Sequence, residues 1–328
     1  MALLPNLLKS ILWINRRDEK DVIDLYNSLV PFVQIALANP NNNMLNFGYW
    51  TQATSSPLEA QIELCRLVGE FAGLQSAKKV IDVGSGFCAP AMFWKFMYDN
   101  KNPDIICVDI NLKQLSTALE KTTLRITTMA KSDLSSVVNK NVRLSKPSKS
   151  ISVVNAAATR LPFADNCVDT VVALESAQHF KPLSGFLRQS RRVLMPKGLL
   201  VVAIPILGPN LSYNQPLIQA AKLGILYFTW ASEHYSLDNI KSAISTEGFE
   251  IQDILHIGHH VYEPCAEYYI QSRQILRQRL KTKGFPHSKS LLIEFVERLI
   301  YISALKMKDS SKKEIIDYVV IKATPAAS

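Results

Sequence analysis

The stretch Lys79-Val80-Ile81-Asp82-Val83-Gly84-Ser85-Gly86-Phe87-Cys88-Ala89-Pro90 decides the fold. An apolar strand ends in an acidic residue and two closely spaced glycines. An apolar helical run over 91–98 follows at once. Glycines at such a turn let the backbone approach a ligand and adopt angles other residues resist. The unit therefore predicts a cofactor at the carboxyl edge of a parallel sheet, where ligands of open α/β sheets lie.

Outward from this unit, apolar strand-like runs alternate with helical ones. Strands are expected over 105–109, 151–156, 168–174, 199–204, 249–257 and 315–323. Helices are expected over 20–38, 57–73, 111–129, 182–195 and 237–247. Pro196-Lys197-Gly198 reads as a turn into the fifth strand. Continuous Val/Ile runs argue for a parallel sheet covered on both faces. The chain divides into an N-terminal helical lid segment (1–60), a Rossmann-like core (61–258), a helical cap of two helices (259–314), and a last strand and tail (315–328). Within the core, 130–149 is a polar, basic surface insertion. Residues 206–235, with Tyr227, Phe228 and Trp230, are an apolar lid insertion.

The 328 residues, 48% hydrophobic, suffice for one large domain with a cap. Of the formal net charge of +9, the last 58 residues hold +7, with twelve Lys/Arg against five Asp/Glu. That excess suits either a solvated helix face or an anionic partner. Five cysteines, none in a Cys-x-x-Cys pair, argue against a zinc site and a disulfide framework and for a reducing, cytoplasmic setting. The histidines at 234, 256, 259 and 260 lack the spacing of a metal pair, and no metal is expected. No apolar run is long enough to span a membrane. Leu4, Leu7, Leu8, Ile11 and Leu12 fall at helical spacing ahead of Arg16-Arg17. Residues 1–17 are thus either a helix touching a membrane peripherally or one packed on the protein's own cap. No nucleic-acid module is visible, and no nucleic-acid partner is expected.

Asp109 closes the second strand, where an acidic residue binds ribose hydroxyls in a nucleotide site or caps the helix that Asn111 opens. Four features then occur in order: Asp82-x-Gly84-x-Gly86, Asp109, Leu161-Pro162-Phe163 with Asp169, and Arg192-Val193-Leu194-x-Pro196-x-Gly198. On these the chain resembles the class I S-adenosylmethionine-dependent methyltransferases, within them the small-molecule group called methyltransferase type 11. The resemblance covers roughly residues 44–205 well. It implies a mostly parallel seven-stranded sheet whose last two strands are antiparallel neighbours. It implies S-adenosyl-L-methionine as cofactor. Asp82, Gly84, Ser85 and Gly86 would line its methionine end and Asp109 its ribose. Ile110, Ala157 and Ala158 would lie along the adenine, and Tyr49 would act as a lid on the methionine moiety. In two places the chain departs from the family: Cys88 stands where a third glycine is common, and Ala157 where an aspartate often binds the adenine amino group.

Methyl transfer from a sulfonium needs alignment and, for a hydroxyl acceptor, a proton acceptor. His179, just past the fourth strand, is the candidate general base, since histidine titrates near neutrality. Glu175 would orient the cofactor's ammonium or His179, or serve as a structural hydrogen-bond acceptor. The aromatic lid suits a small hydrophobic or aromatic acceptor: polyketide, phenol, quinone or lipid. The expected activity is O-methylation. C- or N-methylation of a sterol or quinone ring, and a non-catalytic cofactor-binding partner subunit, remain as alternatives.

Overall fold

The computed structural model describes residues 18–36, 43–99, 101, 103–125, 151–209, 222–223, 235–282 and 290–327. The apolar helix read over 1–17, the insertion at 130–149 and the aromatics Tyr227, Phe228 and Trp230 lie outside the described residues.

In chain order the elements are α1 (Glu19–Ala36), α2 (Pro57–Phe71), β1 (Lys79–Val83), α3 (Ala89–Met97), β2 (Asp104–Asp109), α4 (Leu112–Arg125), β3 (Ser152–Asn155) and β4 (Val168–Leu174). A 3-10 turn (Ala177–His179), α5 (Leu183–Val193), β5 (Leu194–Leu207), α6 (Leu237–Thr246) and β6 (Phe249–His256) follow. The chain then forms α7 (Gly258–Gln271), α8 (Arg273–Thr282), α9 (Ser290–Lys312) and β7 (Ile316–Pro325). The seven strands form one sheet in the order β3-β2-β1-β4-β5-β7-β6. The first five are parallel, and β7 runs antiparallel between β5 and β6. This is the α/β Rossmann-like sheet expected from the alternation. Strand order departs in opposite directions from β1 and β4, and that reversal opens a crevice at their carboxyl ends.

Two expectations change. Pro196-Lys197-Gly198 lies inside a longer β5, where the register with β4 shifts between Val168 and Thr170 and Lys197 adopts a left-handed φ of 65°. The turn is thus an irregularity within a continuous strand. The cap holds three helices, because the run expected as its first helix breaks at Ser272, whose N–H bonds Tyr268 O.

Both sheet faces are packed. Val80, Cys107, Val172 and Val201 join α2, α3 and α7 in one apolar cluster. Ile81, Val108, Val171 and Val202 join α5 and α6 in the other. Two of the motifs prove to be scaffold. The Arg192 guanidinium donates to Leu161 O and Phe163 O at 2.8 and 2.6 Å and pairs with Asp165, so it fixes the Leu161-Pro162-Phe163 segment. The Asp169 carboxylate accepts the Lys78 and Lys79 N–H groups and sets the start of β1.

Trp94 is fully buried between α2 and α3, and its indole N–H donates to Cys65 O at 2.6 Å. Trp94→Phe removes that bond and leaves a void. Urea unfolding should show a loss of about 2–3 kcal/mol. An unchanged midpoint would mean that neither the bond nor the ring volume holds α2 to α3.

Candidate functional site

Gly84, Ser85 and Gly86 turn the chain at the end of β1. Gly84 sits at φ 73°, and a Cβ there would lie 2.3 Å from Ser176 Cβ, so only glycine lets the ends of β1 and β4 approach this closely. The Ser176 hydroxyl closes the junction by donating to Val83 O at 2.6 Å. Gly86, at φ 54°, has open space around it, with Gln114 Oε1 the nearest atom at 3.5 Å. Cys88 then opens α3 in the left-handed region at φ 58°, a conformation that favours the glycine common there in the resembled family.

A cavity of about 350 Å³ lies on this turn. It is lined by Asp82 to Phe87, Val108 to Asn111, Gln114 and Ala156 to Thr159. Leu174, Glu175, Gln178, His179, Cys265, Tyr269 and Met307 line it as well. Helix α1 contributes Glu19, Val22, Ile23, Leu25 and Tyr26. Every residue expected at the site thus walls one cavity except Tyr49. The backbone explains that exception. Tyr49 N–H bonds Ala60 O, Trp50 N–H bonds His260 O, and the Tyr49 ring stacks at a tilt on His260, 4.8 Å between centroids. The same fixed segment turns Asn43, Leu45, Asn46 and Phe47 to the cavity instead. Phe47, two residues upstream of Tyr49, lines the cavity.

The polar groups are held firmly. Asp109 accepts Gly86 N–H and Asn111 N–H, each at 2.7 Å, one on each oxygen. Asn155 Nδ2 donates to Asp109 O and Ile110 O, both at 2.9 Å, and so ties β3 to the end of β2. Asp82 is buried, and its Oδ2 has no partner among the described residues. Gln114 is also buried, and its Nε2 likewise has none. Burial, with the neighbouring Asp109 charge, pushes the Asp82 pKa up to about 7. Burial also raises that of Asp109, against the pull of its backbone N–H donors. Glu175, at φ 50°, is pushed up to about 8 by desolvation, opposed by the hydrogen bond from Phe47 N–H. Its Oε1 lies 3.0 Å from Phe47 N, so Glu175 fastens the segment over the cavity to the end of β4.

His179 ends the 3-10 turn with its Nε2 2.8 Å from the Tyr26 hydroxyl, the rings edge to face at 5.2 Å. One residue on, Asn27 Oδ1 accepts from Asn111 Nδ2 at 3.2 Å. The sequence reading had placed a helix over these residues without assigning either a role. Apolar periodicity marks a helix face but does not say which polar residues beside it meet a partner. The arrangement combines a glycine turn, an unpaired buried carboxylate oxygen and a histidine–tyrosine pair that line one cavity. Among the described residues no group of three or more His, Cys, Asp or Glu is placed to hold a metal.

The methyltransferase domain model matches residues 81–202, the span from β1 through most of β5. The chain is 26% identical over 234 residues to the erythromycin 3''-O-methyltransferase of Saccharopolyspora erythraea, covering 70% of this chain and 69% of that one. Among solved structures, the cyclase SpnF superposes with a TM-score of 0.67 at 17% identity, over 96% of this chain and 98% of that one. The mycolic acid cyclopropane synthase CmaA1, complexed with S-adenosylhomocysteine, superposes at 0.62 and 16% identity, over 91% and 95%. At such identities these structures speak for the fold alone, whereas the domain match and the named relative speak for the chemistry. The chain carries a methyltransferase domain over residues 81–202 and is an S-adenosylmethionine-dependent methyltransferase.

Proposed function

We propose that the protein methylates a hydroxyl group of a small hydrophobic acceptor, with His179 as the general base. The observation that carries this reading is the 2.8 Å contact between His179 Nε2 and the Tyr26 hydroxyl in the cavity that also holds the glycine turn and Asp109. The erythromycin relative supports an oxygen acceptor on a polyketide-derived compound.

The residues fit the cofactor. The open space at Gly86 leaves room for a ligand against the turn. The orphaned Asp82 Oδ2 and the raised pKa of that carboxyl call for a cation, which the methionine end of S-adenosylmethionine carries. In this reading Asp82, Gly84, Ser85 and Gly86 hold the methionine end, with Phe47 above it. Asp109, already fixed by two N–H donors, takes the ribose hydroxyls. Ile110, Ala157 and Ala158 wall the adenine. Gln114 offers a spare N–H beside them. When bound, the cofactor supplies a methyl group activated by a sulfonium. The chain aligns the acceptor, excludes water with α1 and Phe47, and takes the hydroxyl proton at the His179 ring. Tyr26 fixes the orientation of that ring. Glu175 serves mainly as a fastener for the segment over the cavity.

Titration calorimetry with S-adenosylmethionine tests the foundation, and absence of binding at millimolar ligand would overturn the reading. Affinity should also depend on pH. The Asp82 carboxyl of the free folded protein binds its proton up to about pH 7, whereas the unfolded one loses it near 4. This group therefore makes the free protein less stable as pH rises between those values. A bound cation favours the ionised form. Affinity should thus rise from pH 5.5 to 7.5, by up to about tenfold per unit, and Asp82→Asn should weaken and flatten it. A pH-independent affinity in the parent protein would remove Asp82 from the ligand.

The base assignment has its own test, in turnover of hydroxylated macrolides and phenols followed by mass spectrometry. His179→Ala should lower kcat by about 10²–10⁴ with cofactor affinity retained. Tyr26→Phe should lower it by up to about tenfold, the worth of one hydrogen bond. A His179→Ala rate equal to the parent's would exclude the histidine as base.

A further inference from the structure

Helix α9 carries two unlike stripes. Glu297, Ala304, Met307 and Ser311 are buried and turn one side of the helix to the protein. That side is anchored. Arg273 of α8 donates to Glu297 from Nε and Nη2, and the Ser311 hydroxyl donates to Glu263 of α7 at 3.3 Å. The rotation of the helix is therefore fixed, and so is the side it turns to water. There Glu294, Arg298, Ile302, Leu305, Asp309 and Lys312 are exposed. From Arg298 onward their spacing alternates between four and three. That alternation is the seam of a coiled coil, which keeps its side chains on one narrow line. Ile302 and Leu305, 38% and 42% exposed, form its centre.

The charges on this line are ordered about that centre. Arg298 stands four residues before Ile302, and Asp309 four after Leu305. Glu294 lies four further out on one side, and Lys313 four further out on the other. Arg298 forms no ion pair among the described residues. Asp309 holds Lys313 at 2.7 Å, yet its side chain stays 58% exposed, with room for a second cation. An antiparallel copy of the helix meets every one of these groups with its complement. Ile302 falls on the partner's Leu305, Arg298 on the partner's Asp309, and Glu294 on the partner's Lys313. Two-fold symmetry makes each pairing occur twice. A parallel copy in register would instead set arginine on arginine and aspartate on aspartate, which is repulsive. An anionic membrane finds no net attraction on this line, because Glu294 and Asp309 offset Arg298 and Lys312.

We propose that α9 docks a second copy of this chain through an antiparallel, two-fold pairing of its exposed seam. The pairing is independent of the cofactor and acceptor placements. From Glu294 to Lys313 the seam runs about 28 Å at the helical rise. One helix pair of that length buries less than the roughly 1,200 Å² of a durable complex, so the dimer is weak and forms at high protein concentration.

Sedimentation equilibrium of the full chain tests it, in about 0.15 M salt to screen the net charge of +9 between copies. The average mass should climb from 36.7 kDa toward twice that value, with a midpoint at about 100 µM. Arg298→Glu alone, or Asp309→Arg alone, sets like charges face to face twice in each dimer. Either should weaken association at least about tenfold. The double variant restores opposite pairs and should return to within about threefold of the parent. Both positions are exposed, and an unchanged circular dichroism melt should show that each variant folds. A parent that stays monomeric at about 500 µM would overturn the proposal. So would a single variant that associates like the parent, or a double variant as weak as the singles, since the copies would then meet elsewhere.

Discussion

Gly84 and Ser176 meet where the strand order of the sheet reverses, and the site depends on how closely they meet. A side chain on Gly84 would collide with Ser176 Cβ, and the Ser176 hydroxyl is spent on Val83 O. That bond brings the ends of β1 and β4 together without spreading the sheet. On one side of it the chain turns through Ser85 and Gly86 toward Asp109. On the other it runs through Glu175 to His179. The cofactor cradle and the candidate base are therefore the two arms of a single junction. Their separation is set by backbone geometry, which side-chain motion does little to change.

The electrostatics follow from this compactness. Asp82, Asp109 and Glu175 crowd one cavity, and burial raises the pKa of each. Uncompensated, such burial weakens the folded protein. The compensation differs by residue. Asp109 has backbone N–H donors on both oxygens, and Glu175 has the Phe47 N–H on Oε1. Asp82 keeps a buried oxygen, Oδ2, without a partner among the described residues. A group left costly in the free protein is the one that gains most when a cation arrives, so on the proposed cofactor placement the cost at Asp82 would convert into ligand affinity.

Much of this was legible in the sequence, and for identifiable reasons. Strands buried on both faces leave unbroken Val/Ile runs, and the glycine turn follows β1 because the close approach to Ser176 admits nothing larger. Asp109 was legible because its position at a strand end is fixed by the sheet. The Arg192 and Asp169 motifs were legible too, yet their role is to brace the scaffold, which the pattern alone does not distinguish from chemistry. That Tyr49 stands off the cavity was not legible, because the course of the 43–50 segment depends on carbonyls of Ala60 and His260 from distant elements. Tyr26 and Asn27 carry no local signature. What singles them out is tertiary contact with His179 and Asn111, across 153 and 84 residues of chain.

The two halves of the cavity also differ in where they come from. The cofactor half, from Asp82 to Thr159, falls wholly within the matched methyltransferase domain, residues 81–202. The acceptor half borrows Tyr26 and Val22 from α1, Phe47 from the overlying segment, Cys265 and Tyr269 from α7, and Met307 from α9, all outside that domain. Only Leu174 and the Glu175–Lys181 stretch belong to both. A fold shared with a cyclase and a cyclopropane synthase is then no paradox. The sheet edge keeps the cofactor in one place, while helices laid over it set the shape of the remaining space. In this chain those helices bring a tyrosine to the histidine and apolar groups around it. On the proposed function, acceptor choice would reside in α1, α7 and α9, and a change of substrate would need alteration there, with the glycine turn left as it is.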